Sequence, residues 1–276
     1  MKFSFMSFSC PELNLDEMIA AAKKYGYNGI EPRIGSNHKH KIELDSSQSF
    51  RKECKESDIT FSCIATSCKY ANPATNKDMI SDTHKSIDLA ADIGAPVIRV
   101  FGGVIPTKEK VTGYLSMMQS VEGVARKKAI NLLVKSMQSV ADHAAERNVT
   151  VCLETHDHWC NPKHLADVMM RVNHPAIAVN WDIMHPIRVG VTMDEAFQTL
   201  KPWIKHVHFH DGVINTEGKM DLCPIGEGNI DHQRAVRLLK DNNYDGFLSG
   251  EWIGWEPYEL HLPRELSMMK KYEVEE

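Results

Sequence analysis

Residues 149–182 read VTVCLETHDHWCNPKHLADVMMRVNHPAIAVNWD, and their pattern decides the fold. Val149–Glu154 is an apolar run of strand length that stops on a carboxylate. A helix-like span follows at Lys163–Val172, and a second apolar run stops on Asp182. The same pattern returns downstream, where IKHVHFHD (204–211) ends on histidines and GFLSGEW (246–252) ends on Glu251. Packing alone does not explain four successive apolar runs that each close on a side chain able to ligate a metal. They read as neighbouring strands of a parallel barrel, because residues at the C-terminal strand ends of such a barrel converge on one cavity. Glu154, Asp182, Glu251 and one of the alternating histidines would then surround a single divalent ion.

Upstream, Phe3–Phe8 alternates with period two and predicts a first strand. Leu15–Tyr25 carries apolar residues at helical spacing, with Asn14 or Asp16 at the start and Gly26 past the end. NGIEP (28–32) is a short second strand ending on Glu31, and a helix is expected around Ser49–Ser57. Ile59–Ala65 is the third strand, Lys77–Ile93 a helix closed by Gly94, and Pro96–Phe101 the fourth strand, running into Gly102 and Gly103. Val104–Ser120 is the longest patternless connection. It is read as an active-site loop or lid, since long loops in compact domains usually carry function.

Glu122–Arg147 is a long helix with Asn148 suited to its end. Downstream, Thr192–Leu200 opens on a Thr192/Glu195 capping box, and Asp231–Asn242 and Pro257–Tyr272 complete the helices. The last of these either covers the barrel or meets a second copy of the chain, so a homo-oligomer stays open.

Eight strands alternating with helices imply a parallel sheet with right-handed crossovers. At 276 residues they imply one closed (β/α)₈ TIM barrel spanning 1–276. An open doubly wound sheet is the alternative, but no GxGxxG follows the first strand.

A net charge of -5 gives no electrostatic footprint for sequence-independent nucleic-acid binding. The seven cysteines are odd in number and scattered, with no CxxC pair, which favours reduced thiols in a cytoplasmic protein. The N-terminus lacks the continuous apolar core of a signal peptide, and no apolar run is long enough to span a bilayer.

Taken together and in order, GYNGIEP, RVFGG, VCLETHDHW, NWDIMHP, IKHVHFHDG, PIGEGNID and GFLSGEW resemble the xylose-isomerase-like barrels of the sugar-phosphate isomerase/epimerase superfamily. The resemblance covers nearly the whole chain. It implies Glu154, Asp182, His208 and Glu251 as metal ligands, with His208 chosen by its HFHD context. It also implies His185 as a substrate-binding residue, and Glu154 and Glu251 as an acid/base pair on opposite faces of the substrate.

The endonuclease branch of that superfamily adds histidines that are absent here from KMDLCPIGEG and ATSCKY, which argues against a trinuclear nuclease. Ketose epimerases tend to carry an arginine soon after the strand-seven histidine, where HDGVINTEGK offers only Lys219.

Three carboxylates and one imidazole suit Mn²⁺ first, with Mg²⁺, Co²⁺ or Zn²⁺ also accommodated. An ion of this kind, binding two adjacent oxygens of a hydroxy-ketone, stabilises the enediolate left when the carbon between them loses a proton. Reprotonation gives epimerisation or isomerisation, and loss of a β-hydroxyl gives dehydration. The expected activity is therefore a metal-dependent isomerase or epimerase of a keto-sugar or related polyol, with a lyase of inosose or 3-keto-sugar type as the alternative.

Further substrate-binding candidates each have a bland reading beside the functional one. His185 either faces substrate or is structural. Glu31 and Arg99 bind hydroxyls or form an internal ion pair. His156 and Trp159 follow strand five, where a tryptophan stacks on a sugar face or packs a lid. Lys219 binds an anion or is solvated.

Overall fold

The computed structural model describes residues 1–34, 52, 56–57, 59–107, 116, 118, 121–216 and 218–275. The helix expected at 49–57 and the loop expected at 104–120 lie largely outside them. Eleven strands are present among these residues: β1 (Lys2–Met6), β2 (Gly29–Glu31), β3 (Thr60–Phe61), β4 (Ile64–Lys69), β5 (Val97–Phe101), β6 (Thr150–Glu154), β7 (Ile177–Asp182), β8 (Ile204–Phe209), β9 (Asp211–Ile214), β10 (Met220–Cys223) and β11 (Phe247–Gly250). The α-helices are α1 (Leu15–Tyr25), α2 (Asn76–Ile93), α3 (Gly123–Glu146), α4 (Pro162–Val172), α5 (Met184–Arg188), α6 (Met193–Leu200), α7 (His232–Asp241) and α8 (Tyr258–Val274).

Strand pairing runs β3-β2-β1-β11-β8-β7-β6-β5-β4, with every pair in that series parallel. The two ends of this order are one barrel strand. β3 and β4 are separated only by Ser62 and Cys63, where the chain stops pairing with β2 and begins pairing with β5. Ser62 N donates to Ile30 O, and Ala65 N donates to Pro32 O, so the seam is hydrogen-bonded and the sheet closes. The strand expected at Ile59–Ala65 is thus broken in the middle, and the eightfold barrel stands.

Each barrel strand carries two different faces. Val151, Leu153, Ile177, Val179, Val207 and Leu248 belong to the large core between sheet and helices. The residues between them point inward. Cys63, Val97, Cys152 and Ala178 form a small apolar plug in the barrel, and Arg99, Glu154, Asn180 and Asp182 lie beyond it on β5 to β7, beside the buried His206 and His208 of β8. Both faces are buried, which is why the strands read as nearly continuous apolar runs. A polar barrel interior persists only where its groups pair with one another, and that requirement builds the site.

Local chemistry sets the helix ends. Asn14 and Glu17 form a reciprocal capping box at α1, and Gly26 ends that helix at φ 83°. Asn161 accepts from Lys163 N with Pro162 in the first turn of α4. Thr192 accepts from Glu195 N at α6. Such caps contribute about 1 kcal/mol each. Helix α8 packs its Leu262, Leu266 and Met269 into the main core, so it covers the barrel.

One feature departs from the expected strand–helix rhythm. After β8 the chain forms an antiparallel hairpin, β9–β10, before the next helix. Asp211, fully buried at the start of this hairpin, accepts from the backbone N–H of Gly212, Gly226, Gly228 and Ile230 and ties PIGEGNID beneath it. Gly228 is required there, because a Cβ would sit 2.2 Å from Asp211 Oδ1. Among the described residues, no helix is long and apolar enough to cross a membrane.

Candidate active site and metal centre

Strands β6, β7, β8 and β11 are neighbours, and their C-terminal ends bring Glu154, Asp182, His208 and Glu251 together. One ligand atom from each lies within 4.8 Å of all the others. Ligands at about 2.1 Å around one octahedral ion are about 3.0–4.2 Å apart, so the four are close to coordination spacing. His208 Nδ1 is 3.3 Å from Glu154 Oε1 and 3.2 Å from Glu251 Oε2. Asp182 Oδ2 is buried without a hydrogen-bond partner, as is His210 Nε2. Buried polar atoms are normally paired, and a buried carboxylate oxygen left without a partner beside two further carboxylates fits a cation. An oxygen-rich set with one nitrogen suits a divalent ion of intermediate hardness.

The surroundings orient these groups. Asp182 Oδ1 accepts from Met184 N at 2.9 Å, while its backbone N–H donates to Thr155 Oγ1 at 2.9 Å. That leaves Oδ2 toward His185 Nε2 at 3.7 Å and His210 Nε2 at 3.8 Å. Behind the ligands, Glu31 holds His206 Nε2 at 2.8 Å and His208 Nε2 at 3.0 and 3.1 Å. Arg99 Nε stands 3.1 Å from Glu154 Oε2 and its Nη1 donates to Thr66 O at 2.7 Å.

Charge is unevenly balanced in this interior. Burial alone would lower the His208 pKa, but Glu31 and then the hydrogen-bonding Glu154 and Glu251 raise it well above the ordinary imidazole value. Burial pushes Glu251 up, but His208 outweighs it and takes the carboxyl down to about 2. Asp182 is raised, first by burial and then by Glu154 and Glu251, against the opposing pull of His210. Glu31 is driven well below the carboxylate range by His208 and His206 despite its burial. A cation on the His208 Nδ1 side would replace the proton that these carboxylates demand, releasing it on binding.

A cavity of about 230 Å³ opens over this floor, lined in part by His156, His185, His210 and Glu251. His156 stacks edge-on against His185 and Phe101, with ring centroids 4.3 and 4.8 Å away. Burial opposes a charge on His156, yet Asp157 and Glu154 raise its pKa. His185 goes the other way, held neutral by burial first and then by His156 and Arg188.

The remaining sequence candidates sit elsewhere. Glu31 and Arg99 are buried behind the ligands as internal ion-pair partners. Trp159 is fully buried, donating its Nε1–H to Gly103 O at 2.9 Å, and it fills the space where Gly102 would carry a Cβ. It packs the loop after β5. Lys219 is exposed at 70% and pairs with Asp221 at 3.6 Å.

Sequence reading missed His210, Met184, Met220, Leu222 and Ile253, all of which line the cavity. The alternation in HVHFH placed His210 on the ligand face, so that signal was present. Met184 lies on the short helix α5, and the other three depend on the hairpin and on a loop, which carry no periodic signal.

A family model described as xylose isomerase-like TIM barrel matches residues 19–272. The chain belongs to this family. A 3-dehydroshikimate dehydratase of Bacillus anthracis is 23% identical over 297 aligned positions, covering 100% of this chain and 99% of the relative. Among solved structures, a 3-keto-D-glucoside 4-epimerase from E. coli superposes with a TM-score of 0.79 at 15% identity, over 98% of this chain and 99% of its own. The IOLI protein, solved with a bound zinc atom, superposes with a TM-score of 0.77 at 17% identity, over 99% and 97% of the two chains. At these identities the structural likeness establishes the barrel. The proteins that the chain resembles thus include a dehydratase and an epimerase, and one of them was solved with a metal bound.

Proposed function

We propose that this protein is a divalent-metal-dependent isomerase or epimerase acting on a keto-sugar or related polyol. The observation that carries the reading is the convergence of Glu154, Asp182, His208 and Glu251 under an open cavity, with Asp182 Oδ2 buried and without a hydrogen-bond partner. An ion held there, Mn²⁺ by preference of the donor set, would polarise the carbonyl and adjacent hydroxyl of a hydroxy-ketone.

The chain's own residues do the proton chemistry. Glu251 lines the cavity with 13% of its side chain exposed, which places a carboxylate where it accepts the proton from the carbon between the two oxygens. Glu154, anchored by Arg99, takes the partner role on the other face. A second proton, delivered by Glu154 in its acid form to that face, inverts the carbon and leaves Glu251 protonated; return of the Glu251 proton to the neighbouring carbon isomerises the sugar. Neutral His185 offers a hydrogen bond to a substrate hydroxyl, and His156 offers a proton-carrying group beside it.

A second reading, a lyase, is favoured by the full-length similarity to a dehydratase. It uses the same first step and differs in expelling a β-hydroxyl. Metal content by mass spectrometry, combined with a mass-resolved screen of ketoses, inososes and 3-keto sugars, tests both. One bound divalent ion and an isobaric product support the isomerase. A product lighter by one water selects the lyase. No bound ion after incubation with excess Mn²⁺ overturns the site on which both rest.

A further inference from the structure

Among the described residues, the cavity over the ligand cluster has walls of two kinds. His156, His210 and Glu251 come from the strand ends and the turns directly after them, and His185 from α5. Met184, Met220, Leu222 and Ile253 come from α5, the β10 arm of the hairpin and the loop after β11. None of these four offers a hydrogen-bonding group beyond the weak thioether acceptor. Ile253 is 56% exposed at the rim. Met220 is held in place by Gly212, where a Cβ would lie 2.4 Å from Met220 Cγ. The glycine lets the β10 arm lie close and present Met220 and Leu222 to the cavity.

A free sugar carries a hydroxyl on nearly every carbon. Hydroxyls pressed against these four side chains would surrender their water partners and gain nothing. No aromatic ring stands among the four to stack on a sugar face.

We propose that this wall is a subsite for an apolar substituent, so that the substrate is a keto-sugar or cyclic polyol bearing an alkyl or aryl group rather than a free sugar. This rests on the isomerase/epimerase reading for the sugar half of the substrate. The apolar half is carried by Met184, Met220, Leu222 and Ile253. Discrimination of the size that a hydrophobic pocket achieves follows, with the substituted sugar preferred by about 10- to 200-fold.

Binding can be read without turnover. Protein carrying ¹³C-methyl methionine, loaded with Mg²⁺, is titrated with phenyl β-D-glucopyranoside and separately with D-glucose. The Met184 and Met220 signals are assigned through Met184→Leu and Met220→Leu. The subsite predicts shifts of both methyl signals with the phenyl glucoside, weak or no shifts with glucose, and saturation transfer to the phenyl protons. Leu222→Gln weakens phenyl glucoside binding by about 10-fold while Mn²⁺ content stays that of the wild type. Equal shifts with the two probes, or none with either, overturn the subsite. Loss of metal binding in the wild-type protein would instead overturn the parent reading, and the two failures are separate measurements.

Discussion

Glu31 grips the Nε2 of His208 from behind, at 3.0 and 3.1 Å, and thereby turns the Nδ1 of the same ring toward Glu154 and Glu251. Partners of this kind fix a ligating histidine's tautomer and orientation, and removing them typically costs 10–100-fold in metal affinity. Glu31→Gln keeps the shape and loses the charge. Calorimetric titration with Mn²⁺ is expected to show about 10–100-fold weaker binding at unchanged stoichiometry. Wild-type affinity in the variant would remove Glu31 from the metal site.

Glu251 is both the accessible carboxylate of the cavity and a candidate ligand. Glu251→Gln removes a charge and the proton acceptor together. Exchange of the substrate's carbon-bound proton with deuterated solvent, with metal saturating, is expected to slow by about 10²–10⁴-fold. A rate within a factor of two of wild type would assign the base to another group, with His156 the first to examine.

Asp211 binds the backbone N–H of Gly226 and Gly228 through one oxygen, at 2.9 and 3.1 Å. In Gly228→Ala the new Cβ meets Asp211 Oδ1 and Gly212 O, at 2.2 and 2.6 Å. One of these buried groups must give way. Urea unfolding is expected to show a loss of about 2–3 kcal/mol. An unchanged midpoint would mean that the PIGEGNID loop rearranges freely.

His261 is buried against Trp252 and Trp255, with its Nε2–H donating to Ser9 O at 3.2 Å. Burial takes its pKa from 6.5 down to about 4, against the raising effect of the Ser9 carbonyl. The unfolded chain therefore binds the extra proton first. The contribution of this residue to stability is complete above pH 6.5 and is lost as pH falls toward 4. In His261→Gln the donor is retained and the titration is gone. The drop in Tm between neutral and acid solution should shrink by about 2–4 °C in thermal melts followed by circular dichroism. An identical acid slope would place the sensitivity in other buried histidines.

The chain's own order of residues determined the barrel, because strand ends, helix caps and glycine stops are local. Asn14 with Glu17, Gly94 and Thr192 act within a few residues of themselves, and each appears where its chemistry predicts. The four candidate ligands were legible for a related reason: each closes an apolar run, and in a parallel barrel every such end faces one cavity. Tertiary structure decided the rest. Glu31 lies 177 residues from His208, and nothing local distinguishes a carboxylate that orients a ligand from one that binds a hydroxyl. Trp159 follows its strand in the manner of a stacking residue, yet Gly102 leaves room for it beneath a loop. The β9–β10 hairpin owes its place to Asp211 gathering N–H groups as far as 19 residues ahead. Contacts across such distances depend on how the barrel closes, so the floor of the site was written in the sequence while its supports and its apolar wall came only with the fold.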